Sequence, residues 1–119
     1  MSQVKFEHLF SPLQVGPMRV PNRICETTNT INSSMTPGLI DEHYIAHHVA
    51  KARGGTGWIG SETWLLNSPF PPDAPDEIGL SVGFAVHYSP YQFPAFAEGM
   101  TKFCNEVHRA GAVAIIQLT

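Results

Sequence analysis

The chain has 119 residues, room for one domain and no more. Hydrophobic residues make up 43% and charged residues only 14%, so much of the surface is expected to be hidden in the chain's own core or against other protein. A net charge of −3 without a basic cluster argues against a nucleic-acid partner, and no apolar run is long enough to span a bilayer.

Taken in chain order, residues 9–21 read as a short hairpin. Leu13 and Val15 alternate with polar neighbours, Gly16-Pro17 turns the chain, and Met18 and Val20 alternate again. Pro12 and Pro21 bound it, which suits a cap and not a central strand pair. Residues 22–28 are a candidate first core strand, and a polar loop follows from Asn29 to Gly38. Residues 41–53 predict a helix with Tyr44, Ile45, His48, Val49 and Ala52 on one face. Asp41 and Glu42 suit its positive N-terminal end, Lys51 and Arg53 its negative C-terminal end, and Gly54-Gly55 stop it. Residues 57–64 predict a second strand whose glycines imply close approach of another backbone or a ligand. Residues 65–93, with five prolines, read as a long irregular segment, whose stretch from Asn67 to Tyr91 is either the lining of a substrate channel, with Tyr88 and Tyr91 as its walls, or a disordered connector. Residues 94–110 predict a helix with a stripe of Phe96, Met100, Phe103, Val107 and Ala110, stopped by Gly111.

The last segment, 112–118, is apolar on both sides. Such strands belong to parallel sheets covered on both faces, and the C-terminal ends of those strands are where α/β proteins place their chemistry. The order of hairpin, then β-α-β-loop-α-β, therefore predicts an α/β fold with a parallel sheet and right-handed crossovers. Three strands and two helices leave an edge and a face open, so further protein is expected to cover them. The chain reads as the first part of a larger enzyme.

Several side chains invite a chemical reading. His43 and His47 stand four apart on one helical face, but a helical zinc pair needs a third ligand and a catalytic carboxylate in register, so no metal is expected. Cys104 and His108 repeat that spacing with the same conclusion. Glu26, on a core strand, is either an acid/base group or ion-pair partner facing a barrel interior, or a charge at a solvated strand edge. Cys25 reads as a small packed side chain, and Trp58 and Trp64 as core. The two cysteines show no metal spacing and are expected as free thiols in a reducing compartment. The N-terminus has no signal-peptide core, so a cytoplasmic location is expected.

Four stretches carry a family resemblance: Leu9-Phe10-Ser11-Pro12-Leu13 with Val15-Gly16; Pro21-Asn22-Arg23-Ile24; the run from Ala52 to Glu62; and Val107-His108-Arg109-Ala110-Gly111 leading into Ile116-Gln117-Leu118-Thr119. On these the chain resembles the N-terminal part of the Old Yellow Enzyme family of FMN-dependent oxidoreductases. It looks closest to the bacterial branch with 2,4-dienoyl-CoA reductase, trimethylamine dehydrogenase and N-methyl amino acid demethylases. The resemblance implies the N-terminal portion of a TIM (β/α)8 barrel, with a hairpin cap and about three βα steps. It implies non-covalent FMN across the strand ends, and NAD(P)H as a reductant of the complete enzyme. By position it assigns flavin contacts to Thr28, Asn29, Thr30, Thr63 and Gln117, with the Gln117 amide on the flavin pyrimidine edge. Thr28 stands where the family has a nearby proline, and Thr63 where it commonly has glycine or alanine. The family's substrate pair, its proton donor and its phosphate site fall after the third strand, so no catalytic residue is assigned. The implied partners are the rest of the barrel or a complementing chain, a small-molecule substrate and an oligomeric assembly. The alternative is a non-catalytic fragment that completes another chain's barrel.

Overall fold

In a computed structural model, residues 6–29, 40–64 and 94–118 are described. The elements in chain order are β1 (Leu13–Val15), β2 (Met18–Val20), β3 (Cys25–Glu26), α1 (Glu42–Arg53), β4 (Trp58–Trp64), α2 (Pro94–Arg109) and β5 (Val113–Leu118). Strands β1 and β2 form an antiparallel hairpin in the register Leu13–Val20, Gln14–Arg19 and Val15–Met18. Its turn combines Gly16 at φ 56° with Pro17, the sign pattern of a type II′ turn, which matches the twist of a hairpin. Strands β3, β4 and β5 form a separate sheet in that spatial order, parallel throughout.

Strand β3 is much shorter than the 22–28 expected. The backbone before it is committed elsewhere: the Arg23 N–H donates to the Leu9 carbonyl at 2.9 Å, and the Ile24 N–H donates to the Asn22 side chain at 3.0 Å. Asn22 also donates from Nδ2 to the Gly55 carbonyl at 2.9 Å, tying the end of the hairpin to the α1–β4 turn. That clamp needs Gly57, because a Cβ there would come within 2.6 Å of Asn22 Oδ1.

Helix α1 starts where Asp41 accepts the Tyr44 N–H at 2.9 Å, an N-cap that satisfies one orphan donor. Asp41→Ala is expected to cost the full chain about 1 kcal/mol, read by urea denaturation. A loss below about 0.3 kcal/mol would show that the cap is dispensable. Past the helix, Gly55 takes the positive φ of 100°, and Gly111 does the same at 91° after α2.

The five apolar-face residues of α1 are all buried, as are Phe96, Met100, Phe103 and Val107 of α2. They pack over Ile59, Trp64 and Ala112 of the sheet region into one core. Trp58 is not part of it. It is half-buried and outside that core, because strand alternation turns it to the face opposite Ile59. Cys25 likewise is exposed and not packed, since β3 has a sheet neighbour on only one side among the described residues. Cys104 is half-buried, burial holds its thiol above the ordinary value, and neither cysteine is in a disulfide. On β5, Ile116 and Leu118 remain 41% and 52% exposed. No helix of the described residues is long and apolar enough to cross a membrane.

Candidate functional site

Parallel register brings the C-terminal ends of three strands side by side. Thr63 on β4 is the direct partner of Gln117 on β5. Thr28, two residues past β3, donates its hydroxyl to Gln117 Oε1 across the intervening strand. Gly60 permits that crossing. It lies on the central strand, and a Cβ there would stand 2.9 Å from the Glu26 carbonyl and the Thr28 nitrogen and 3.1 Å from Thr28 Cγ2. The close backbone approach expected from the strand glycines is thus an approach of β3 to β4.

Between Gly60 and Thr63 strand β4 advances three residues while β5 advances two, a bulge that re-aims the strand end. Ser61, fully buried, organises it. Its hydroxyl accepts the Gln117 N–H at 3.3 Å and the Trp64 Nε1–H at 3.2 Å, and donates to the Glu62 carbonyl at 2.8 Å. The Glu62 N–H, which the bulge takes out of the ladder, donates to the Tyr44 hydroxyl at 3.0 Å. Burial pushes the Tyr44 hydroxyl well above its ordinary range, so it stays protonated. Gln117 is therefore held twice: its backbone by Ser61 and its side-chain carbonyl by Thr28. With Oε1 accepting from Thr28, the two Nε2 hydrogens have no taker among the described residues. Asn29 follows Thr28 and is exposed, and Thr30 lies outside the described residues. So do Tyr88, Tyr91, Phe93 and the 65–93 segment.

A second constellation sits between β3 and α1. The Glu26 carboxylate pairs with Lys51 and lies 3.3 Å from His48 Nδ1. Glu26 thus turns toward helix α1, not toward a barrel interior, and its side chain is only 15% exposed. A carboxylate on a strand flanked by a helix finds its counter-charge on that helix, three residues beyond the buried histidine. Burial lowers the His48 pKa, with the Glu26 charge and hydrogen bond working against it. The His47 and His48 rings meet nearly perpendicular at 5.1 Å. His43, which sequence spacing paired with His47, is exposed, as is His108. The spacing argument looked four residues along one helix. The grouping that folding makes is between neighbours in sequence and a strand residue 22 positions away. Ser61 was likewise visible in sequence only as a small residue, since nothing there shows the bulge.

A hairpin cap followed by parallel βα steps with polar side chains gathered at the strand ends is the architecture of the first part of a TIM barrel. The chain has the fold of the N-terminal part of Old Yellow Enzyme structures. It superposes on the Old Yellow Enzyme from Pichia sp. AKU4542 with a TM-score of 0.72 and 19% identity, over 93% of this chain and 26% of that one. On a 2-naphthoyl-CoA reductase the TM-score is 0.73 with 20% identity, over 96% of this chain and 16% of that one. In sequence it is 27% identical over 117 residues to the N,N-dimethylglycine/sarcosine dehydrogenase of Chromohalobacter salexigens, covering 96% of this chain and 15% of that protein. The chain therefore spans roughly a sixth to a quarter of the length of these relatives. No family model matches it.

Proposed function

We propose that this chain is part of an FMN-dependent oxidoreductase, and that it supplies the wall of the barrel mouth facing the flavin pyrimidine edge. The observation that carries the reading is the doubly anchored Gln117 amide at the strand ends, with its Nε2 hydrogens free to donate. The donor set fits the group. An amide held from behind by a threonine hydroxyl keeps one orientation, still has a lone pair on Oε1, and so offers a donor and an acceptor side by side to a ring edge that needs both. FMN, when bound, supplies hydride acceptance and donation. This chain's own residues orient and hold. Gln117 and Thr28 fix the edge, Thr63 lines it beside Gln117, Asn29 follows Thr28 at the same rim, and the family resemblance adds Thr30 to these contacts. Proton donors and the substrate pocket belong to the rest of the barrel, which would also cover the exposed Ile116 and Leu118.

The domain reading that goes with this is a partial FMN-binding barrel domain over residues 1–119, acting in a complete barrel with NAD(P)H as a reductant. Two reactions suit such an enzyme: hydride transfer from a nicotinamide through the flavin to an activated alkene, and oxidative demethylation of an N-methyl amine. The name of the dehydrogenase relative supports the second. It would work joined to the remainder of the barrel or to a complementing chain, in a cytoplasmic, oligomeric assembly.

The test is flavin binding by the assembled enzyme. Gln117→Ala is expected to weaken FMN affinity by about 1–3 kcal/mol, the cost of leaving a buried partner unmade. Titration followed by flavin fluorescence measures it. An unchanged dissociation constant would remove Gln117 from the flavin site and with it the main support for this reading.

A further inference from the structure

The strand-end site leaves unused a group of side chains on the helix side of the sheet. Glu26, His47 and His48 each bring one ligand atom to within 4.8 Å of the others. His48 is 1% exposed, and its Nε2, like that of His47, has no hydrogen-bond partner among the described residues. A buried ring nitrogen without a partner is rare, since burial normally forces polar atoms to pair. Tyr44 and Phe103 flank the His48 ring at centroid distances of 4.5 and 5.5 Å.

We infer that Glu26, His47 and His48 form a binding site for a divalent transition-metal ion of the zinc class, which pins strand β3 to helix α1. Two imidazoles and a carboxylate are the ligand types such ions take. A first-row ion holds nitrogen and oxygen ligands at about 2.0–2.2 Å, which sets tetrahedral ligand atoms about 3.4 Å apart. The 4.8 Å spread of the ligand atoms has to close toward that value when an ion binds. Three protein ligands leave a fourth position for water.

Lys51 sets the terms of binding. Its ammonium occupies Glu26 Oε1 in the metal-free arrangement, so it acts as the counter-cation that a metal displaces. This gives the site a signature that a merely structural ion network lacks: removing the lysine strengthens metal binding.

The experiment uses the full chain without a histidine tag, stripped with a chelator and titrated with cobalt(II) and zinc(II). Binding is read by the visible ligand-field absorption of cobalt and by calorimetry. One ion per chain is expected. His47→Ala, at a half-buried position that does not hold up the core, is expected to weaken binding at least tenfold, and Glu26→Gln similarly. Lys51→Met is expected to tighten it several-fold, and His43→Ala to leave it unchanged. Circular dichroism of each variant confirms that the fold persists. Absence of saturable binding at one ion per chain overturns the inference, as does a His47→Ala variant that binds like the parent. If Lys51→Met fails to tighten binding, Glu26 is not a ligand and the site is lost as described.

Discussion

Phe103→Ala is expected to destabilise the chain by about 3–5 kcal/mol. Phe103 is fully buried at the middle of α2. Its ring meets Tyr44 edge-on at 5.4 Å and His48 at 5.5 Å, so it is the contact through which α2 and α1 close over the sheet. Truncation removes the transfer free energy of the ring and leaves a cavity. The walls of that cavity, Tyr44 and His48, are held by Glu62 and Glu26 and collapse poorly into it. A domain of this size has only about 5–15 kcal/mol in total, so the loss is a large part of the whole. Phe103→Leu keeps most of the volume and is expected to cost less than about 1.5 kcal/mol. Urea denaturation of the parent and both variants reads the difference. An alanine variant within about 1 kcal/mol of the parent would show that the helices do not depend on each other through this ring.

Gly60→Ala carries the second large effect, about 2–3 kcal/mol, and it reaches the site as well as the fold. The added methyl would stand 2.9 Å from two backbone atoms of the neighbouring chain segment, the Glu26 carbonyl and the Thr28 nitrogen. Backbone cannot rotate away as a side chain can, so β3 has to shift from β4. That shift separates Thr28 from Gln117 and loosens the amide that the proposed flavin contact needs. The expected result is a loss of stability together with a loss of flavin affinity in the assembled enzyme. Gly111→Ala is the control. There a Cβ meets nothing within 4 Å, and only the positive φ of 91° is penalised, by about 1–2 kcal/mol, with flavin affinity untouched. Should Gly60→Ala match that control in both readouts, the tight approach of β3 to β4 is not what holds Thr28 against Gln117.

The helices were the most legible part of the sequence. The 3.6-residue spacing of Tyr44, Ile45, His48, Val49 and Ala52, and of Phe96, Met100, Phe103 and Val107, named their buried faces, and Asp41 and the Gly54-Gly55 pair marked the ends of α1. Strand β5 announced itself as an apolar run after a helix-stopping glycine, β4 as a glycine-containing segment just past the Gly54-Gly55 stop, and alternation of helix and strand implied parallel pairing. Strand β3 was legible only in part. Its neighbours Asn22, Arg23 and Ile24 look like strand residues, but their backbone and side chains bond to the hairpin and the α1–β4 turn. Of the strand-end residues, Thr28, Thr63 and Gln117 could be named by resemblance. The hydroxyl-to-amide contact between two of them, and the role of Ser61, could not.

What the sequence determined by itself was periodic and local: which residues turn inward, where helices begin and stop, and that the strands run parallel. Such features arise from interactions within a few residues, and they repeat at a spacing that can be counted. Tertiary structure alone decided the pairings of Glu26 with His48 and Lys51, of Thr28 with Gln117 across Gly60, and of Ser61 with Gln117 through the bulge. Each joins groups 22 to 89 positions apart. Their meeting depends on strand register and on backbones close enough to exclude a single methyl group, quantities that exist only once the chain has folded.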